Sequence, residues 1–361
     1  MRLEVRELAA SEYPCWDQLV AVSPQRSLFV QRWWMDIVTR GEVRLLGCFQ
    51  HDQLLAGLPI WPYSTLGVRR LRQPPLTPYW GPMLFPLRGE YHTRLNHEIA
   101  ILHALARALL PWPDITMQCH PNTTNWLGFY WNDFSQTTRY TYRIDDWTQL
   151  SPQEVIAHES MRSSLRRAHK FALSVQDMVD PQVVLRQTQL SMGRQGLHSS
   201  DEIQRCWSTL ADEALRRNCM FTTSVVDADG NVHGAVATVW DDRCAYGIYG
   251  GADPQFRHTG GWTLCMAREL ELARTVAPAY DFEGSMLETV EPFFRRFGGT
   301  LTPYFLVTRS ASLRLNAARL IADKCCAGKQ WVQQALGWRK PAAPNGYADV
   351  REVAAHCSDA R

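Results

Sequence analysis

The chain has 361 residues, 45% of them hydrophobic and 20% charged, with a formal net charge of +2 at neutral pH. That length holds one large core or two ordinary ones, two being the usual division, and the composition excludes a long disordered chain. The near-balanced charge excludes a generally basic nucleic-acid binder, so no DNA partner is expected and any basic patch has to be local.

Leu3–Leu8 alternates like a first strand. Ser11 is placed to cap a helix running through Trp16 and Val20, with Pro14 in its first turn. A second helix, about Val30–Thr39, presents Trp33, Trp34, Ile37 and Val38 and stops at Gly41. Val43–Phe49 and Leu54–Trp61 make a hairpin across His51-Asp52. Gln73–Pro82, QPPLTPYWGP, holds too much proline for a central strand. It reads as a rigid surface loop, or as an aromatic wall in which Tyr79 and Trp80 face a substrate groove. A helix about Asn96–Leu110, a strand Asp114–Cys119, a helical piece Asn125–Tyr130 and a strand Thr137–Ile144 close the first half.

The second half repeats that order. Ser151 opens a helix to about Val175, and Ser199 or Ser200 opens another to Arg217. Phe221–Val226 and Val232–Trp240 pair across Asp229-Gly230, and Cys244–Gly250 is a short strand closed by Gly250-Gly251. Gly260-Gly261 opens a helix to about Thr275, with Trp262, Cys265, Met266, Leu270 and Ala273 at helical spacing. Tyr280–Phe282 is a brief buried strand. Pro292 starts a short helix that Gly298-Gly299 ends, and a last strand reaches Arg309. The recurrence of hairpin, long helix, central strand and final strand at a shift of roughly 165–180 residues argues for an internal duplication. Domains are therefore expected over residues 1–148 and 149–338, each a mixed α/β sheet flanked by helices. A helix about Ser312–Ile321 and the segment Gln330–Leu336 read as packing, and residues 339–361 as a polar tail.

Ten cysteines are scattered without a C-x-x-C pair, and Cys325 and Cys326 are adjacent, so neither a disulfide framework nor a metal site is indicated. The first twenty residues carry charges throughout and show no apolar signal region, and no apolar run reaches membrane-spanning length. The expectation is a cytoplasmic protein.

Arg257-His258-Thr259-Gly260-Gly261-Trp262 sets free backbone N–H groups and a basic side chain at a helix N-terminus, an arrangement suited to phosphate. An ordinary tight turn is the plainer alternative. The segment resembles the acyl-CoA motif of the GNAT N-acyltransferases, Gln/Arg-x-x-Gly-x-Gly/Ala, with Arg257 and Gly260 matching and Trp262 replacing the last small residue. The continuation Asp281-Phe282-Glu283-Gly284-Ser285 and Glu291–Gly298, EPFFRRFG, resembles the Fem-type (FemAB-like) branch, in which two GNAT-like domains sit in tandem. Some members of that branch transfer amino acids from aminoacyl-tRNA to peptidoglycan precursors.

The resemblance implies an acyl- or aminoacyltransferase with no tightly bound cofactor, using acyl-CoA or aminoacyl-tRNA as co-substrate. Its acceptor would be an amine on a small metabolite or on a lipid- or nucleotide-linked cell-envelope precursor, and a tRNA acceptor stem is a further partner. A monomer or weak dimer is expected. Arg257, His258, Gly260, Gly261, Gly250 and Gly251 would hold the donor. The first half offers Pro86-Leu87-Arg88-Gly89-Glu90 at the corresponding place, with an acid beside the glycine, so the donor is assigned to the second domain and the acceptor groove to the first.

N-acyl transfer asks mainly for positioning and oxyanion donors, so no Ser-His-Asp constellation is expected. Glu283 is the first candidate to accept the amine's proton; its alternative is an ion pair with Arg295 or Arg296. Ser285 and Glu291 come second, with loop satisfaction and the helix dipole as their plainer roles. Tyr249 and Tyr304 can protonate a leaving group or serve the strands. Arg162, Arg166 and Lys170 share a helix face with no acid between Met161 and Lys170, and can grip acceptor or tRNA phosphates or remain a solvated face. The competing reading is a catalytically degenerate tandem protein that binds a nucleotide-linked ligand or a partner.

Overall fold

A computed structural model describes residues 2–65, 67–147, 158–194, 199–284, 286 and 290–311. Ser151, Ser285, the helix expected near residue 312 and the tail lie outside them. The described chain divides into two compact units, one made of the residues up to Arg139 together with residues 303–311, the other of Tyr140–Thr302. This division differs from boundaries at 148 and 338, because the last strand pairs within the first unit.

The first unit has two sheets. One runs β1 (Glu4–Glu7), β2 (Arg44–Gln50), β3 (Gln53–Ile60), β6 (Met83–Leu84), antiparallel throughout. The other runs β4 (Pro62–Thr65), β5 (Val68–Leu71), β7 (Asp114–Gln118), β14 (Thr300–Ser310), with Leu306 opposite Gln118 and Ser310 opposite Asp114. Helices α1 (Tyr13–Val22), α2 (Arg32–Thr39), α3 (Tyr91–Leu109) and α4 (Leu127–Tyr130) accompany them. Trp16, Leu19, Leu58, Ile101, Leu105 and Phe129 are buried in one core, and burial of that apolar surface is what holds these amphipathic elements in place.

Three expectations need correction here. Ser11 does not cap α1: Glu12 holds the N-cap position without a side-chain bond, and its carboxylate pairs with Arg6 at 2.6 Å. Helix α3 starts at Tyr91, five residues before the expected Asn96. Tyr79 and Trp80 are each only 2% exposed, so they wall no groove and sit on no surface loop. Tyr79 lies edge-on to His120 and Tyr304, and the backbone N–H of Trp80 donates to Gln118 O at 2.9 Å. A proline-rich segment can enter a core when its few remaining N–H groups find acceptors.

The second unit is one sheet in the order β8 (Ser135–Ile144, from Tyr140 in this unit), β13 (Ala279–Asp281), β12 (Cys244–Ala252), β11 (Val232–Trp240), β10 (Met220–Val226), β9 (Ser174–Asp177). Its register is antiparallel except between β12 and β13. Helices α5 (Glu159–Lys170), α6 (Pro181–Gly193), α7 (Asp201–Arg216), α8 (Gly261–Val276) and α9 (Glu291–Phe294) complete it. Met161, Val236, Cys265, Met266, Leu270, Tyr280 and Phe282 form its core. The helix expected to reach Val175 stops at Lys170. Ala172 takes φ +51°, and the chain continues into β9. Helix α6 was not anticipated, although Asp180 accepts from the Gln182 N–H at 2.8 Å and Pro181 occupies the first turn.

The duplicated order is visible element by element. β1, the β2–β3 hairpin, β6, α3 and β7 of the first unit recur as β9, β10–β11, β12, α8 and β13 of the second. The copies diverge after the hairpin: β4 and β5 intervene before β6 with no counterpart between β11 and β12, and β6 is two residues long where β12 has nine.

Candidate functional site

Strand β12 is paired with β13 only from Cys244 to Tyr246, opposite Ala279–Asp281. β13 then ends while β12 runs on to Ala252. On its other edge β12 pairs Gly247 with Thr238 and Tyr249 with Ala237, which leaves Ile248 as the extra residue of a bulge. A strand that outruns its parallel neighbour and bulges at the point of departure leaves backbone groups free to meet a ligand. Beside it lies a pocket of about 420 Å³. Its buried wall includes Met161, Val236, Met266, Phe282 and Phe294, and its exposed rim includes Arg167, Arg194 and Arg257.

The N-terminus of α8 borders the same pocket. No side chain caps this helix, and its first internal bond runs from Leu264 N–H to Gly260 O, so the N–H groups of Trp262 and Thr263 have no acceptor within the helix. The preceding loop is pinned to the β10–β11 hairpin. Thr259 Oγ1 donates to Phe256 O at 2.8 Å, accepts from the Gly261 N–H at 3.3 Å and lies 2.9 Å from His233 Nδ1. His233 Nε2 is 3.2 Å from Asp227 Oδ2, and its ring stacks on Phe256. Hydrogen bonds from Asn231 and His233 hold the Asp227 carboxyl at about 2.

Neither Arg194 nor Arg257 has an ion-pair partner among the described residues. Partial desolvation, and then the charge of Arg257, hold the Arg194 guanidinium below its ordinary value. Two like charges brought together beside an uncapped helix N-terminus favour an anion between them.

The glycines have a second explanation. An ideal Cβ on Gly260 would lie 2.1 Å from Ser164 O on α5, and one on Gly251 would lie 2.5 Å from Gln187 O on α6. Both are needed for helices to approach the sheet and each other. Gly234 and Gly250 make room for Trp262, whose ring atoms would lie 3.0 and 3.1 Å from their Cβ positions. The indole is thus laid along β11 and β12, within 6.0 Å of the Phe293 ring, which is how the fold accommodates a tryptophan where a small residue was expected.

A buried acid faces this pocket. Glu269 on α8 is fully buried and lines it. Its Oε1 accepts from Tyr280 OH at 2.6 Å and from the Thr238 hydroxyl, while Oε2 is buried with no partner. Burial pushes its pKa up to about 7, against the pull of those two hydrogen bonds. Gly247 admits the group: a Cβ there would lie 2.4 Å from Tyr280 Oη and 3.0 Å from Glu269 Oε1.

Of the residues expected from sequence, the pocket gathers Tyr249, Gly250, Gly251, Arg257 and Gly260. Tyr249 OH is 2.9 Å from Ser199 Oγ, its ring packs on Trp207, and burial raises its pKa. Gly261 packs against His233, and His258 is exposed, edge-on to Phe171. Glu283 follows β13 at φ +50°, 6% exposed, with both carboxyl oxygens buried and unpartnered. Burial first, and the Asp281 charge second, lift its pKa well above the carboxylate range. It is absent from the lining described, and it does not pair with Arg295 or Arg296. Asp281 pairs with Arg143 at 2.8 Å, and Arg295 reaches Glu291 at 3.8 Å. Glu291 also accepts from Tyr142 OH. Tyr304 belongs to the first unit, where its OH donates to Gln118 Oε1 at 3.4 Å.

The basic face of α5 is also different from expectation. Glu159, just before the segment read as acid-free, pairs with Arg162 at 2.9 Å and Arg166 at 2.7 Å. Lys170 is exposed, and the α5 cation that lines the pocket is Arg167. Sequence reasoning missed Arg194, the α6 residues Thr188 and Ser191, and Glu269 with Tyr280. The last pair carried a signal: Glu269 falls three and four residues after Met266 and Cys265, an acid on the apolar stripe.

Among the described residues no group of three His, Cys, Asp or Glu can hold a metal, and no helix is long and apolar enough to cross a membrane. Residues 157–284 match the GNAT acetyltransferase domain family. The structure is similar to FemX, at 12% identity over 88% of this chain and 99% of that one, with a TM-score of 0.58. It is also similar to a conserved protein of unknown function from Bacteroides thetaiotaomicron, at 8% identity over 86% and 100% of the two chains, with a TM-score of 0.52. A tandem GNAT protein from the clavulanic acid biosynthesis pathway aligns at 12% identity over 86% and 99%, with a TM-score of 0.49. No curated protein matches the chain. Residues 157–284 thus form an acyltransferase domain of the GNAT family, within a chain that has the fold of the Fem-like tandem branch.

Proposed function

We propose that the second unit binds an acyl thioester of coenzyme A and transfers its acyl group to a primary amine, on a cell-envelope precursor or a small metabolite in the cytoplasm. One observation carries this reading: the gap between β12 and β13 opens beside an uncapped helix N-terminus and the unpaired Arg194 and Arg257. The donor's phosphates would meet the helix N–H groups and the two guanidinium groups. Its carbonyl would lie along the free edge of β12 beside the bulge at Ile248, where main-chain N–H groups can take up charge developing on the oxygen. The first unit offers a poorer cradle, because Glu90 occupies the N-cap position of α3.

Aminoacyl-tRNA is the alternative donor, since its terminal phosphates make the same demand on the rim. A thermal-shift series with coenzyme A, acetyl-CoA and a mixture of charged tRNAs tests the reading, because a ligand stabilises the form that binds it. Coenzyme A and acetyl-CoA are expected to raise the melting temperature with saturation. A shift from charged tRNA alone would move the donor to that class, and no shift from any of them would overturn the transferase reading.

A further inference from the structure

The strand gap holds a carboxylate that the donor-binding role does not use. Glu269 sits among apolar and aromatic side chains on the pocket wall, two turns into α8 from the phosphate-suited end. Three separate features of the chain serve it. Tyr280 and Thr238 both donate to Oε1, from different strands, so the carboxylate is fixed in rotation. Gly247 lacks the side chain that would collide with Tyr280 Oη and Glu269 Oε1. The remaining oxygen, Oε2, is buried without a partner. A buried carboxyl oxygen left unsatisfied is costly, and an apolar residue of the same size would remove the cost. The donor's carbonyl is placed beside the adjacent bulge at Ile248 under the reading above.

We propose that Glu269 is the proton acceptor for the attacking amine, and that Tyr280 is the positioning residue that leaves Oε2 free to take the proton. The proposal rests on the acyl-transfer reading of this pocket. The balance is simple. A C–N bond forms between the amine and the acyl carbon, and the bond from that carbon to the thioester sulfur breaks. The nitrogen's proton goes to Oε2, and the sulfur leaves with its electron pair as a thiolate. The proton then passes from Glu269 to the thiolate or to solvent as products depart, which restores the carboxylate.

Tyr280 and Cys265 both feel the charge of Glu269 and are both kept protonated by burial, so neither competes for the proton. A carboxyl that titrates at about 7 is poised for this task at neutral pH.

The test uses the full chain with acetyl-CoA as donor and ethylamine or hydroxylamine as acceptor, following thiol release. Glu269→Gln is expected to lower kcat/KM, expressed per unprotonated ethylamine, by about 10²–10⁴-fold and to remove the acid limb that remains after that correction. Tyr280→Phe should shift that limb and lower kcat while the affinity for coenzyme A stays within about 2-fold of wild type. If wild type binds coenzyme A and both variants keep its rate and its acid limb, Glu269 is not the acceptor while the acyl-transfer reading stands. If Glu269→Gln loses coenzyme A affinity in step with rate, the role is structural. If wild type neither binds coenzyme A nor releases thiol, both readings fall together.

Discussion

The α-carbon of Gly260 and the carbonyl oxygen of Ser164 approach so closely that a methyl group on the glycine would lie 2.1 Å from that oxygen. Gly260 also holds φ +87°. Two penalties therefore meet in Gly260→Ala, a left-handed backbone costing about 1–2 kcal/mol and a forced separation of α5 from α8. Gly41, at φ +74° with nothing within 4 Å of its Cβ position, bears only the first. Urea denaturation of Gly260→Ala should show a loss of about 3 kcal/mol or more, against about 1 kcal/mol for Gly41→Ala. Equal losses would mean that the helix contact carries no cost.

Cations on the pocket rim and on the α5 face should separate in their effects. Arg194→Ala and Arg257→Ala are each expected to weaken coenzyme A binding by about 10-fold and to flatten its salt dependence. Arg162→Ala with Arg166→Ala should change affinity by less than about 2-fold, because Glu159 already engages both guanidinium groups at the surface. Isothermal titration at two ionic strengths distinguishes the pairs, and a larger effect from the α5 pair would reverse the assignment.

Glu269 links stability to pH. Its carboxyl moves from an ordinary 4.5 to about 7 on folding, so the folded state binds more protons between those values. Stability from this group is complete below about pH 4.5 and is lost as pH rises to about 7, a change on the order of 3 kcal/mol. Glu269→Gln should lack that slope. Its melting temperature relative to wild type should climb between pH 5 and 8, and parallel curves would show that the carboxyl is not shifted.

Glu283 makes a related case away from the pocket lining. Its raised pKa gives the same sign, with stability lost as pH rises above the ordinary carboxyl value. Glu283→Gln should therefore be more stable than wild type at pH 8 and leave acetyl-CoA turnover near normal. A collapse in turnover with an intact fold would place Glu283 in the chemistry instead.

The sequence made the second unit's frame readable because its signals are local. Asp229-Gly230 turns a hairpin, Gly260 takes a left-handed φ before a helix, and Pro292 opens a short one. The site was less readable because its parts are brought together by tertiary contact. Glu269, Thr238 and Tyr280 come from a helix and two strands, and no spacing announces that they meet. Tyr79 and Trp80 misled for the opposite reason: proline and aromatic content suggested a surface, whereas the N–H of Trp80 finds Gln118 O and lets the segment be buried. On α5, a count between Met161 and Lys170 overlooked Glu159 only two residues earlier. Helix α6 was the avoidable omission, since Asp180-Pro181 is a start signal in plain view.

The last strand has a consequence for biosynthesis. β7 offers Asp114–Gln118 to a partner, residues 306–310 of β14, that the ribosome makes some 190 residues later, after the whole of Tyr140–Thr302 has been synthesised. Until then the β7 edge that β14 will cover is unpaired, and unpaired edges invite association with other chains. A chain released before residue 303 would lack the strand that completes its own N-terminal unit, so premature termination is a route to aggregation rather than to a free-standing first half.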